Sequence, residues 1–339
     1  MRKPRYGSPE IFVLGDINAD VIARVKSWPQ PGEECLAERL ELHCGGVAAN
    51  CALALRRWGI AVRLIGSVGE DQFGMFLLET LAAGGVDVRA VKRTREAMTG
   101  MLYINVTPDG QRTFFGSRGA NQLVGRLGRR ESHLLGRAQA ASLMGYSFLN
   151  VSSEAAAHQV IAAVHRNGGW VSLDVGMEPS KEIPEKILRV AKTVDLLFVS
   201  SEEATALAGH RNAEKAFNSL LKRGIPQVVM KRGKQGCSIV DHGAVRRVPS
   251  FRVRAVDSTG AGDAFTAAFL QGHLRGWPVS EAALVANAAG AAAAGVIGAG
   301  ERLPTQQQIV RILRAQRLKQ PWEAVRLRVL RHLSEAMGR

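Results

Sequence analysis

The sequence predicts an α/β fold, a mainly parallel central sheet with helices on both faces and a small extra β-sheet. Short apolar runs alternate with helical patterns along most of the chain, the signature of strand–helix–strand units. Two stretches, 18–43 and 98–116, break that rhythm and read as β segments with no helix between them. The length of 339 residues suffices for one large α/β core with an appendage, or for about two average domains.

The first strand, Ile11-Phe12-Val13-Leu14, runs straight into Gly15-Asp16-Ile17-Asn18-Ala19-Asp20. Polar side chains at the carboxyl end of a strand in an open α/β sheet face the ligand crevice, which makes Asn18 and Asp20 candidate binding groups. Gly45 and Gly46 permit close backbone approach, and Asn50 follows one turn into a helical pattern over 47–57. Further strands are expected at 62–66, 141–145, 170–174, 195–199 and 226–230, with helices at 71–83, 154–167 and 181–192. In the second irregular stretch, Thr99–Val106 and Thr113–Phe115 flank Pro108-Asp109-Gly110, a turn signal. Residues 281–294 form an alanine-rich pattern suited to a closely packed helix. Trp322, Val325, Val329, Leu330, Leu333 and Met337 keep helical spacing near the end of the sequence, as expected of a helix packing back on the core.

Composition narrows the function. No apolar run approaches the length of a membrane helix. The first residues are basic but lead at once into the first strand without the longer apolar region of a signal peptide. The four cysteines lack Cys-x-x-Cys spacing, so reduced thiols and a cytoplasmic location are expected. Net charge is +15, and residues 311–339 hold eight Lys or Arg against two Glu. No basic run with interleaved aromatics accompanies that charge, so a solvated basic surface is expected rather than a nucleic-acid site.

The most informative segment is Asp257-Ser258-Thr259-Gly260-Ala261-Gly262-Asp263-Ala264-Phe265. Its glycines make a turn with exposed N–H groups, and the apolar stretch after it has helical composition. Such N–H groups at a helix N-terminus bind anions, aided by the helix dipole. Asp263 lies in the first turn of the same helix. A phosphate cradle with a carboxylate at its lip is what transferring a phosphoryl group to a hydroxyl requires.

This segment resembles the second signature of the ribokinase family of carbohydrate and nucleoside kinases, also called the PfkB family. Cys44-Gly45-Gly46-Val47-Ala48-Ala49-Asn50-Cys51-Ala52-Leu53-Ala54-Leu55 resembles the first signature, and Gly15–Asp20 the N-terminal substrate motif. The resemblance spans roughly residues 10–310 and implies a ribokinase-like fold. It implies a core of 1–17, 44–97 and 117–310, a β lid of 18–43 and 98–116 over the sugar site, and a basic helical extension at 311–339. Lids of this kind exclude water from the transferring phosphate.

The resemblance also implies roles. Asp263 becomes the general base, and Gly260, Ala261 and Gly262 the N–H donors to the γ-phosphate. Asn18, Asp20, Gly45, Gly46 and Asn50 grip sugar hydroxyls, and Tyr103 occupies a position used by 2-keto-3-deoxygluconate kinases. Lys231, Gly233 and Gly236 form the nucleotide-side turn, and the helix carrying Asn287, with Gly298-Ala299-Gly300, borders the base and a monovalent cation. Glu203 would act on magnesium through water, and Asp257 lies near the monovalent cation. The family has Asn-x-x-Glu where this chain has Ser200-Ser201-Glu202-Glu203. ATP, Mg2+ and K+ are the implied cofactors, a small sugar the partner, and a homodimer through the lid the assembly. Val47 in place of the Lys of ribokinase counts against ribose, and Asn105 stands where ketodeoxy-acid kinases have Arg. Arg118 is a candidate for an acidic or phosphorylated sugar. Fructose-type, ketodeoxy-acid and nucleoside acceptors stay open, as does a catalytically silent sugar- or nucleotide-binding member.

Overall fold

The computed structural model describes residues 10–108, 112–136, 138–296 and 298–337. Asp109 and Gly110 of the expected turn lie outside them. The described strands are β1 (Ile11–Leu14), β2 (Asn18–Arg24), β3 (Arg39–Gly45), β4 (Val62–Gly69), β5 (Asp87–Thr94), β6 (Gly100–Val106), β7 (Arg112–Ser117), β8 (Ala140–Met144), β9 (Trp170–Asp174), β10 (Leu196–Ser200), β11 (Val228–Lys231), β12 (Cys237–Asp241) and β13 (Ala244–Val248).

Nine of them make one sheet in the order β13-β12-β11-β10-β9-β8-β1-β4-β5, parallel except where β12 pairs with β11 and β13. Its central strands are apolar on both faces, as parallel sheets covered by helices must be. Ile11 and Val13 pack with the helices Val47–Arg57, Ala261–Leu274 and Val279–Ala294, whereas Phe12 and Leu14 pack with the helix Val151–Arg166. Chain order runs outward from β1 to β5 on one side and from β8 to β13 on the other. The resulting switch point between β1 and β8 is where an open α/β sheet leaves its ligand crevice.

The second sheet has the order β3-β2-β6-β7. Its register pairs Asp20 with His43 and Leu102, and Ile22 with Glu41 and Ile104. Asp20, Ile22, Arg24, Ile104 and Val106 face a cavity of about 300 Å3, closed from below by Val256, Asp257, Thr259 and Ala299. Val21, Leu42, Tyr103 and Phe115 alternate onto the opposite, outer face, where the last three are exposed.

Some sequence expectations shift. The helix expected over 181–192 is two helices, Met177–Glu182 and Pro184–Ala191, because Pro184 has no N–H to continue the first and starts the second at its N1 position. The boundary expected at 310 falls inside the helix Gln306–Ala315. The last helix, Trp322–Met337, buries Val329 and Leu333 against the core, and its Arg328 and His332 pair with the buried Glu281. All four cysteines are free thiols.

Candidate active site

The turn before Ala261–Leu274 is built on backbone requirements. Gly260 caps that helix with φ 72°, and a Cβ there would meet the Ala299 Cβ at 2.8 Å. Both torsion and space therefore call for glycine. The Asp257 carboxylate brackets the turn, accepting from the Thr259 N–H at 2.6 Å and the Gly298 N–H at 2.7 Å. Of the three expected N–H donors, Ala261 is already bonded, donating to the Ser258 carbonyl at 3.2 Å. Gly262 and Asp263, in the first helical turn, have N–H groups with no preceding helical carbonyl to take them.

Asp263 is gripped by a residue far away in sequence. Asn50 Nδ2 donates to Asp263 Oδ2 at 2.7 Å, while Asn50 Oδ1 accepts from the Gly300 N–H at 3.0 Å. The Gly300 contact fixes which way the amide points, so that its donor faces the carboxylate. Burial pushes the Asp263 pKa up to about 6, with the Asn50 bond opposing, Asp174 adding and Lys231 subtracting. A carboxylate tuned toward neutrality is suited to general-base work.

Asp20 forms the other side of the crevice. It is buried, its Oδ1 has no hydrogen-bond partner, and a Cβ on Gly45 would sit 2.0 Å from its Oδ2. Gly45 thus makes room for the carboxylate. Burial, and then the charge of Asp263, pushes the Asp20 pKa up to about 7. Gly46, with φ 91°, turns the chain into the helix that carries Asn50. Asn18 Oδ1 accepts from Asn121 Nδ2 at 2.8 Å, and Asn121 Oδ1 takes the Ile17 N–H at 2.8 Å.

A third cluster lies beneath the turn. Lys231, at the end of β11, donates to both oxygens of Asp174, at the end of β9, at 2.9 Å each. Thr266, one turn beyond Asp263, adds a 2.6 Å bond to Asp174 Oδ2. Burial alone would depress the Lys231 ammonium, but Asp174 and Glu203 outweigh it and hold its pKa above the ordinary value. A Cβ on Gly262 would lie 3.8 Å from Lys231 Nζ, which places a cation directly under the anion turn. Glu203 is buried, with burial raising its pKa and Lys231 opposing. Its Oε2 accepts the Ser200 N–H at 2.7 Å and its N–H donates to Ser200 Oγ at 3.1 Å. Ser200, standing where Asn was expected, therefore caps the helix Ser201–Ala208 in a capping box.

Other expected residues are placed differently. The register puts Tyr103 on the outer face of the small sheet, opposite to Asp20 and Ile104, so it does not line the cavity. This corrects its expected place among the substrate ligands: its parity along β6 is wrong for the inner face. Arg118 is neutralised by Asp16 through bonds of 3.0 and 2.8 Å, so it is no free anion receptor. Asn287 is buried and donates to the Val248 and Pro249 carbonyls, at 3.2 and 3.1 Å, tying its helix to the sheet edge. Gly233 and Gly236 shape the turn between β11 and β12 with φ 53° and 84°. Sequence reasoning missed Asp174 and Thr266, and it named Gly298 and Gly300 only as bordering the base and a cation, not as N–H donors to Asp257 and Asn50. Asp174 could have been found, since it ends an expected strand on the ligand side of the sheet. Among the described residues, no group of three or more His, Cys, Asp or Glu is arranged to hold a metal, and no helix is long and apolar enough to cross a membrane.

Comparison with known proteins matches residues 8–306 to the profile of the pfkB family carbohydrate kinases. A ribokinase of Haemophilus influenzae is 27% identical over 89% of this chain and 98% of its own length. A fructokinase of Klebsiella pneumoniae is 30% identical over 90% of this chain and 99% of its own. An Escherichia coli structure assigned to ribokinase II, solved in complex with ATP and Mg2+, superposes with a TM-score of 0.80 at 26% identity, covering 90% of this chain and 99% of that one.

Proposed function

The chain belongs to the pfkB family of carbohydrate kinases and is an ATP-dependent sugar or nucleoside kinase, and we propose that it phosphorylates a hydroxyl of a small sugar or sugar-derived substrate with Asp263 as general base. In this reading Asp20 accepts hydrogen bonds from acceptor hydroxyls, leaving one further hydroxyl beside Asp263. That oxygen attacks the γ-phosphorus, its proton passes to Asp263, and the bond to the departing ADP breaks. The N–H groups of Gly260 and Gly262, with Lys231 beneath and the Ala261 N–H already taken by Ser258, stabilise the charge on the phosphoryl oxygens. Magnesium bound to ATP would neutralise charge on the phosphates, and Glu203 and Asp174 are the carboxylates that would face it. Lys231, Gly233 and Gly236 are proposed for the phosphate and ribose side of ATP, with Asn287 holding the helix that borders the base. Asp257 is proposed to face a monovalent cation, which predicts faster turnover in K+ than in a bulky organic cation.

The observation that carries the reading is Asp263 held by Asn50 at a helix N-terminus, across from the unpartnered Asp20 oxygen. One feature favours a second reading, in which the acceptor is a nucleoside. Ile22, Ile104, Val106 and Val256 give the cavity beyond Asp20 apolar walls, which suit a planar substituent better than a hydroxyl. ATP turnover against a panel of sugars, sugar acids and nucleosides separates the two. If neither class supports turnover that Asp263→Asn abolishes, both readings fall.

A further inference from the structure

An ion pair joins the small sheet to the loop beside the Gly260–Asp263 turn. Arg302, in the loop after Gly298, sends Nη2 to Glu41 Oε2 on β3 at 2.7 Å. Glu41 also pairs with His43 at 2.9 Å and Arg39 at 2.7 Å, so its carboxylate is held on the lid side by its own strand. The same loop carries the Gly300 N–H that fixes Asn50 and the Gly298 N–H that brackets Asp257. Gly300 itself, at φ 58°, is pressed against β3: a Cβ there would lie 2.1 Å from the Cys44 carbonyl oxygen. On the core side, Arg57 donates to the carbonyls of Glu301 and Leu303. The loop is thus clamped between a fixed helix and the small sheet, which it meets through the Arg302 side chain and through the close approach of Gly300 to β3.

We propose that Arg302 is a positioning residue that couples the seating of the lid to the aim of the base. With Glu41 engaged, the loop holds Gly300 where its N–H can orient Asn50, and Asn50 in turn holds Asp263. With the pair broken, Asn50 loses its fixed acceptor contact and Asp263 its fixed partner. This rests on the phosphotransfer reading above.

The test compares Arg302→Gln and Arg302→Lys with the wild type, each as the full chain. Arg302→Gln should lower kcat for phosphoryl transfer about tenfold, the worth of a hydrogen bond between charged groups, with the ATP Kd unchanged within about twofold. The ratio of ATP hydrolysis to transfer should rise, because the lid no longer commits the phosphoryl group to the acceptor. Arg302→Lys, which keeps the charge, should restore part of kcat. Independently of any acceptor, backbone hydrogen exchange in β3 and in residues 298–302 should quicken in the Gln variant. Unchanged exchange overturns the tie, whatever the kinetics. Quickened exchange with unchanged kcat and unchanged hydrolysis ratio overturns the coupling, and so does a fall in kcat matched by an equal loss of ATP affinity. Quickened exchange in the Gln variant, with a wild-type protein that phosphorylates no acceptor, leaves the tie standing and overturns the kinase reading instead.

Discussion

The Gly260–Asp263 turn and the small sheet over it are built on opposite rules. Around the turn the carboxylates are partnered: Asp257 by two backbone N–H groups, Asp263 by Asn50, Asp174 by Lys231 and Thr266. On the inner face of the sheet, Asp20 keeps a buried oxygen with no partner, and on the outer face Leu42, Tyr103 and Phe115 stay exposed. A buried polar atom left unsatisfied costs stability, and because Asp20 lines the cavity the proposed acceptor would supply the missing partner. In the proposed reaction the turn is preorganised for the charge that develops, whereas the sheet presents an unpartnered Asp20 oxygen on its inner face and exposed apolar side chains on its outer one.

The sharpest way to break this comparison is at the base. Asp263→Asn should lower turnover by roughly two to four decades, the usual worth of a positioned general base. Binding of ATP should survive, because the turn's N–H groups and Lys231 are unchanged. Wild-type turnover in this variant, with ATP affinity measured by calorimetry, would remove Asp263 from the mechanism.

Next in size is the acceptor side. Asp20→Ala should worsen acceptor kcat/KM by roughly one to two decades, through lost hydrogen bonds to a charged group. Gly45→Ala should imitate it without touching Asp20, since the new Cβ would sit 2.0 Å from Asp20 Oδ2 and push the carboxylate aside. Both should leave the ATP Kd measured without acceptor unchanged. Falling ATP affinity with steady acceptor kinetics would put residue 20 on the wrong side of the crevice.

How much of this was legible beforehand follows from sequence distance. The Gly260–Asp263 turn and the Asn18–Asp20 and Gly45–Asn50 segments are local patterns, and each places its own backbone. The pairing of Asn50 with Asp263 spans 213 positions, that of Asn50 with Gly300 spans 250, and that of Glu41 with Arg302 spans 261. No local periodicity encodes such contacts; they follow from the sheet order, which brings the ends of β1, β9 and β11 to one crevice. Tyr103 was misplaced for the opposite reason. Its strand was recognisable, but which parity of β6 faces inward depends on the pairing with β2, and a shift of one residue inverts every side chain.

The two carboxylates also make a pH test. Asp20 and Asp263 interact, so their pKa values of about 7 and about 6 belong to a coupled pair. If both must be ionised, acceptor kcat/KM should fall as pH drops through 7 to 6, approaching tenfold per unit for each group. Asp20→Asn removes one negative neighbour, so the remaining ionisation should move to lower pH. The sign for stability is the reverse. Both groups have folded-state pKa values above the ordinary 3.8, so their charged forms oppose folding, fully so above pH 7 and not at all below about pH 4. Asp20→Asn should therefore raise Tm by a few degrees at pH 8, with the gain vanishing near pH 4. A gain independent of pH would mean that Asp20 is not held as a strained charge.

The smallest effect on turnover, and the finest division between the two faces of the sheet, is expected at Tyr103. We propose that a second copy of the chain covers the outer face, where Tyr103 lies beside Phe115, and Trp28 stacks on Phe115 with ring centroids 5.8 Å apart. Exposed aromatic and aliphatic side chains grouped on one side of a sheet are costly in a monomer, and a self-complementary two-fold contact is the commonest way to cover them. Tyr103→Ser should then weaken association, seen by light scattering across a dilution series, while kcat/KM for the acceptor stays within about twofold, as for a surface substitution. The inner face, with Asp20, Ile22 and Ile104, is untouched by the change, so acceptor binding has no reason to respond. A tenfold rise in acceptor KM with unaltered association would place the Tyr103 hydroxyl in the acceptor site and overturn the assignment of the two faces. Unaltered association with unaltered kinetics would leave the division of faces intact and dismiss the second copy as what covers the outer one.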